Sequence, residues 1–488
     1  MAGYIVVTGS LIAGSPPITN TQEAGVDEGD VVKMYGNDIL VILRRGRIFT
    51  VSIADGTMVP VDSIDAFPPG QDADGDWYDE MLVADGRVVV IGYSYAREAS
   101  QINRFRISED GYLRFDDSYE LRSNDYYSSH DYASRLIGDE LIVFSPLELP
   151  YYASNPFDAL PAMRKWKPND GDNDFERIVG ARNVYAPQAV RDNEELELVL
   201  YTVIQCRLLS DPFNCDAKSA MGPWNRTAYV SANAFYIWTV SYGEDEAMTA
   251  SGANSMLYRI PLDGSPPTAV VARGGPMDQF SFREDYDRNV LNVLVSSEAG
   301  GDAFWQAERS EGSLALITLP VDAFGDGSSE IDFGRYRPLP AYPERQYFAQ
   351  NRFVGDYLLY DLDIDDNYET RTSNLVVVPT SGGEITQLAL PHGVDRIDIL
   401  GNDAIVVGGN SWDENADLSF TTIDLSSGPR PSIGERHVDT GAEQAESRSH
   451  AFFFHPDPGQ QDNAAAGVSG VLGLPVTRPG RGPLKELY

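Results

Sequence analysis

The chain has 488 residues, 42% of them hydrophobic and 11% aromatic, enough apolar material for a large core and too much for an intrinsically disordered chain. Its 37 Lys and Arg stand against 74 Asp and Glu, a formal net charge of -37, so a polyanion such as nucleic acid is repelled. No run of about 18 apolar residues is present to span a membrane.

Helical periodicity is nearly absent, and a tight turn followed by strand residues recurs instead. In chain order the turns open GNDILVIL at Gly36, DGRVVVIG at Asp85, GDELIVF at Gly138 and NAFYIW at Asn233, then RNVLNVLV at Arg288, GDYLLYDL at Gly355 and GNDAIVVG at Gly401. SHAFFFHP with GVSGVLGLPV, between residues 449 and 476, reads as a more divergent eighth member. Gly, Asn and Asp suit the positive φ of a hairpin turn, and the β-branched and aromatic residues that follow suit a pleated, buried surface.

A second hairpin follows in most units, at residues 47–64, 102–121, 255–272 and 374–390. Two hairpins make a four-stranded blade, which hides its apolar faces only by stacking on neighbours. The expectation is an all-β β-propeller of four-stranded antiparallel blades, seven or eight in number with eight preferred. It occupies residues 27–477, between a lead at 1–26 that holds a possible closing strand and a tail at 478–488. The widest spacing holds an insertion at 145–190 and a Cys-containing loop at 205–216. Cys206 and Cys215 fit either a local disulfide or two free thiols.

TNTQEAGVDEGDVVKMYGNDILVIL, residues 19–43, resembles the opening motif of a family of secreted proteins. That family carries a C-terminal β-propeller domain distantly related to WD40 repeats. Asn20, Gln22, Gly25, Val26, Asp27, Glu28, Asp30, Val32 and Lys33 match its pattern. DQFSF at 278–282, RQYFAQNRFVGDYLLY at 345–360 and SRSHAFFF at 447–454 resemble later segments of it, although Ser449 and Ala451 replace an acidic and a basic residue. The resemblance implies a propeller in a secreted, periplasmic or cell-surface protein. It implies no reaction.

Three acidic loops are candidates for Ca2+, which takes six to eight oxygens and suits alternating Asp in a Gly-containing loop. They carry Asp72, Asp74, Asp76, Asp79 and Glu80, then Asp170, Asp172, Asp174 and Glu176, and finally Asp361, Asp363 and Asp365. The first lacks EF-hand spacing, and solvated surface is the plain alternative for each. The five histidines form no zinc motif, and no nucleotide or flavin fingerprint appears. His450 is the one histidine in a family-like segment, a hydrogen-bonded strand end or, in an enzyme, a base. Trp77, Trp166, Tyr151 and Tyr152 could form a recognition face or pack the insertions down.

The leading expectation is an exported, non-catalytic propeller that binds a protein or a surface polymer through acidic loops stiffened by Ca2+. The alternative is a hydrolase or lyase with a carboxylate site, joined by His450, in the central funnel.

Overall fold

A computed structural model of the chain describes residues 21–54, 56–123, 134–148, 160–168, 175–180, 183–193, 196, 198–211, 213–241, 253–297, 313–341, 350–363, 370–411, 416–426, 428–445, 451–456 and 470–478. Within them seven antiparallel sheets follow one another along the chain. The first is built from Val32–Tyr35, Ile39–Arg44, Arg47–Ser52 and Val59–Asp65. The second takes Trp77–Ala84, Arg87–Ser94, Ala99–Ile107 and Leu113–Arg122, and the third Ser134–Ile137, Glu140–Glu148, Leu198–Arg207 and Asn214–Pro223. Asn225–Val230, Ala234–Val240, Ser255–Pro261 and Thr268–Ala272 make the fourth. The fifth to seventh begin at Phe282–Asp285, Asn351–Val354 and Arg396–Leu400.

Each recurrent turn of the sequence falls between the first and second strands of one sheet. Positive φ is supplied by Gly36 at +61° in the first sheet, by Asp85 at +47° together with Gly86 at +75° in the second and, without glycine, by Asn289 at +51° in the fifth. Small polar residues tolerate that conformation, which is why the pattern survives where glycine is replaced.

Consecutive sheets share their cores. Val41 and Ile48 meet Val90 and Phe105 between the first and second sheets, and Ile91 and Ile102 meet Val143 and Ile204 between the second and third. Phe144 and Tyr201 meet Phe235 and Met256, and Trp238 and Leu257 meet Val293 and Ile317. Leu316 meets Tyr360, and Val377 meets Val406. Because side chains alternate along a strand, one strand feeds two interfaces: Val293 points back and Leu294 points forward. The main cores among the described residues are shared between neighbouring sheets, and the architecture is a β-propeller. Beyond the seventh sheet, Glu443–Gln444 pairs with Val476–Thr477 and Phe453–Pro456 pairs with Gly470–Gly473, where the sequence suggests an eighth unit. Phe452 packs there on Ile405 and Val407 of the seventh sheet.

The insertion leaves at the end of Glu140–Glu148, three residues later than its expected start, and lies along sheet edges. Ala162–Lys165 adds to the outer edge of the second sheet, and Val184–Tyr185 pairs in parallel on the third. Both cover edges that would otherwise present unpaired backbone groups. Trp77, a candidate for the recognition face, begins a strand and packs on the core between the second and third sheets. Among the described residues no helix is long and apolar enough to cross a membrane.

Candidate functional site

The first strands of the sheets face one another at the hub. Val32–Tyr35 lies beside Trp77–Ala84, which lies beside Ser134–Ile137, and Asn351–Val354 lies beside Arg396–Leu400. Across them runs the opening motif, residues 22–30, as a strap that touches four sheets. Asp30 exchanges backbone hydrogen bonds of 3.0 and 2.9 Å with Met81 of the second sheet. Asp27 and Glu28 pair with Leu136 and Arg135 of the third. Val26 enters the core between the third and fourth sheets. Gln22 donates from Nε2 to the carbonyl of Gln279 at 2.6 Å, just before the fifth.

The motif's polar residues hold this path. Lys33, 4% exposed, donates to Asp27 Oδ1 and to the Glu28 carbonyl, both at 2.7 Å. Glu28 accepts from the Gln22 N–H at 3.2 Å, and Asp30 accepts from the N–H groups of Val31 and Val32. Asn20 lies outside the described residues. The signature is thus a set of turn anchors and backbone partners rather than a cation cage.

Glu23 is the group with perturbed chemistry. Tyr229 of the fourth sheet donates its hydroxyl to one carboxylate oxygen, and Tyr286 lies 3.5 Å from the other. Burial pushes the acid up to about 7, against the opposing effects of the Tyr229 hydrogen bond and of Arg283. The Tyr229 hydroxyl in turn accepts the backbone N–H of Glu284 at 2.9 Å. Glu284, 3% exposed, is a latch between sheets that receives Ser231, Asn233 and Tyr236. Asp278 is likewise pushed up by burial and accepts from Asn351 at 3.0 Å.

The candidate metal loops do not gather. Asp72 accepts the Asp74 N–H at 3.2 Å, Asp76 accepts the Tyr95 N–H at 3.1 Å, and Glu80 accepts the Ser134 hydroxyl at 2.7 Å. Asp79 is half-buried within its strand. Glu176 is exposed on a two-residue strand, and Asp361 is buried in the sixth sheet. Asp170, Asp172, Asp174 and Asp365 lie outside the described residues, as does the side chain of Asp363. Among the described residues no three His, Cys, Asp or Glu side chains stand together as metal ligands. His450, Tyr151 and Tyr152 also lie outside them. Trp166 is half-buried, with an indole N–H that has no partner, so among the described residues Trp77 and Trp166 form no exposed aromatic face. Cys206 and Cys215 stand opposite each other in the hairpin of the third sheet and form a disulfide.

Two features escaped the sequence reading. Arg104, 1% exposed, holds Asp117 with bonds of 2.7 and 2.9 Å and reaches the carbonyls of Leu208 and Ser210, tying the second sheet to the disulfide hairpin. A charged residue at an inward strand position was its only signal. The second is a cleft of about 650 Å³ between the hairpin turns of the first two sheets, lined by Tyr35, Asn37, Asp38, Asp85, Glu109 and Asp110. Burial pushes the Tyr35 hydroxyl up, and the nearby Glu109 and Asp85 carboxylates add to it.

The Beta propeller domain family matches residues 18–331. No curated protein matches the chain. Among solved structures it is similar to an acylaminoacyl peptidase of Pyrococcus horikoshii at 8% identity and a TM-score of 0.32, covering 86% of this chain and 52% of that one. It is also similar to a post-proline cleaving enzyme from Rickettsia typhi at 7% identity and a TM-score of 0.33, covering 86% and 55%. The chain spans about half the length of these structures, and neither likeness bears on its chemistry.

Proposed function

The chain belongs to the Beta propeller domain family, and from that premise we propose that it is an exported, non-catalytic binding scaffold for a protein or surface polymer with basic groups. The acidic cleft between the turns of the first two sheets carries this reading. It is concave, it faces outward at the turn end of the sheets, and four carboxylates border it. A cationic side chain entering it meets four exposed carboxylates at once, and their summed field attracts it although each single contact is screened by solvent. The disulfide accords with an oxidising compartment. Ca2+ enters the reading through the acidic loops at 169–176 and 361–369, since among the described residues, which include the loop at 71–80, no three carboxylates stand together.

The test is calorimetric titration with an arginine-rich peptide, run in Ca2+ and again in chelator. Glu109→Gln with Asp110→Asn should weaken binding about tenfold or more, in line with the loss of about 1.4 kcal/mol. Affinity unchanged by the substitutions would remove the cleft, and equal affinities with and without the ion would remove Ca2+.

A second reading, a hydrolase or lyase in the funnel, draws on Glu23, whose value of about 7 suits a general acid or base. Both of its oxygens face tyrosine hydroxyls of the ring, however, and the strap holds it in place. The anchor role accounts for the same geometry without a substrate.

A further inference from the structure

The inner strand of the sixth sheet carries two neighbouring side chains with unmet hydrogen-bonding capacity. Arg352 is 3% exposed, and neither its Nε nor its Nη2 has a hydrogen-bond partner. Asn351, 4% exposed, has an unpartnered Oδ1 beside it. Native proteins rarely leave such groups buried and empty-handed, and an ordered water or ion is a usual explanation.

The orientation of the guanidinium is fixed. Its centre lies 4.3 Å over the ring of Phe280. Its charge is only partly answered. Asp398 Oδ1 is 3.7 Å from Nη2, beyond hydrogen-bond reach, and that oxygen already accepts the Ile399 N–H at 2.8 Å. The other oxygen of Asp398 is 3.5 Å from Arg396. Asp398 is thus shared between Arg352 and Arg396. The nearby acids Asp278 and Glu23 are both pushed up by burial, which weakens them as partners for the Arg352 charge.

Nε and Nη2 form the lateral edge of the guanidinium, whose two N–H groups run parallel. That fork matches two oxygens of a carboxylate or phosphate. We propose that Arg352, braced by Phe280 and flanked by Asn351, is an axial binding site for a small oxyanion. Two oxygens of the ion take the fork, and the Asn351 Oδ1, an acceptor, makes no bond to the ion and is left for a donor such as water. The site is distinct from the acidic cleft, which takes the opposite charge.

The test is a proton–nitrogen correlation spectrum of the arginine Nε–H groups in the full chain. It is titrated with acetate in one arm and inorganic phosphate in the other, at ionic strength held constant with chloride. The Arg352 signal should move saturably in at least one arm, and which arm it is distinguishes a carboxylate from a phosphate. The melting temperature should rise with the same ion. Arg352→Lys keeps a cation and loses the fork, so it should weaken that ion's effect at least tenfold. A signal unmoved by both ions, the behaviour of a site holding only water, would overturn the proposal. So would an equal melting shift in the lysine variant. Should that variant fail to fold, the spectrum of the native chain decides alone.

Discussion

Glu23 occupies a place where ionisation is disfavoured, half-buried against two tyrosine hydroxyls. Its pKa is raised from the ordinary 4.5 to about 7 by burial, which makes it a weaker acid. For an acid raised in the folded state, the contribution to stability is complete below about pH 4.5 and is lost as pH climbs through about 7, because the unfolded chain releases the proton first. Glu23→Gln keeps an acceptor for Tyr229 and cannot ionise. Chemical unfolding from pH 4 to pH 8 should therefore show the wild type losing stability relative to the variant between those limits. Parallel profiles would show that Glu23 is not held protonated. The residue was visible in the sequence only as one of four carboxylates within eight positions. What sets it apart is contact with Tyr229 and Tyr286, 206 and 263 residues away, which no local pattern reports.

At the scale of single elements, hairpins were the most legible part of the chain, because a turn needing positive φ and a buried pleated strand both leave local marks. The hairpin of Leu198–Arg207 and Asn214–Pro223 shows this, with Cys206 and Cys215 paired across it at a Cα separation of 4.1 Å. Closing so short a loop stabilises by about 2–3 kcal/mol on the chain-entropy estimate. Replacing both cysteines by serine should lower the melting temperature and loosen the grip of Arg104 on Leu208 and Ser210. A melting temperature indifferent both to the replacement and to reductant would show that the crosslink adds nothing. The strap was legible in part. Its signature residues stood out by resemblance, but not the path they take. Three segments picked out by that resemblance meet at the hub: Gln22 reaches Gln279, Asp278 receives Asn351, and Arg352 covers Phe280.

Over the whole molecule the sequence implied stacked sheets, and consecutive sheets do share every major core. The acidic loops were harder to read, because a run of alternating Asp looks the same whether it encloses a cation or caps its own backbone, as Asp72 does. The structure's central feature is that residues 22–30 belong to the hub and bind four sheets together. Native-state hydrogen exchange measures this directly. The Asp30 N–H, bonded to Met81, should exchange as slowly as amides of the core strands Arg87–Ser94 and Ala234–Val240, and Gln22→Ala should speed it. Exchange of residues 22–30 at the rate of an open loop, with those strands still protected, would contradict the account.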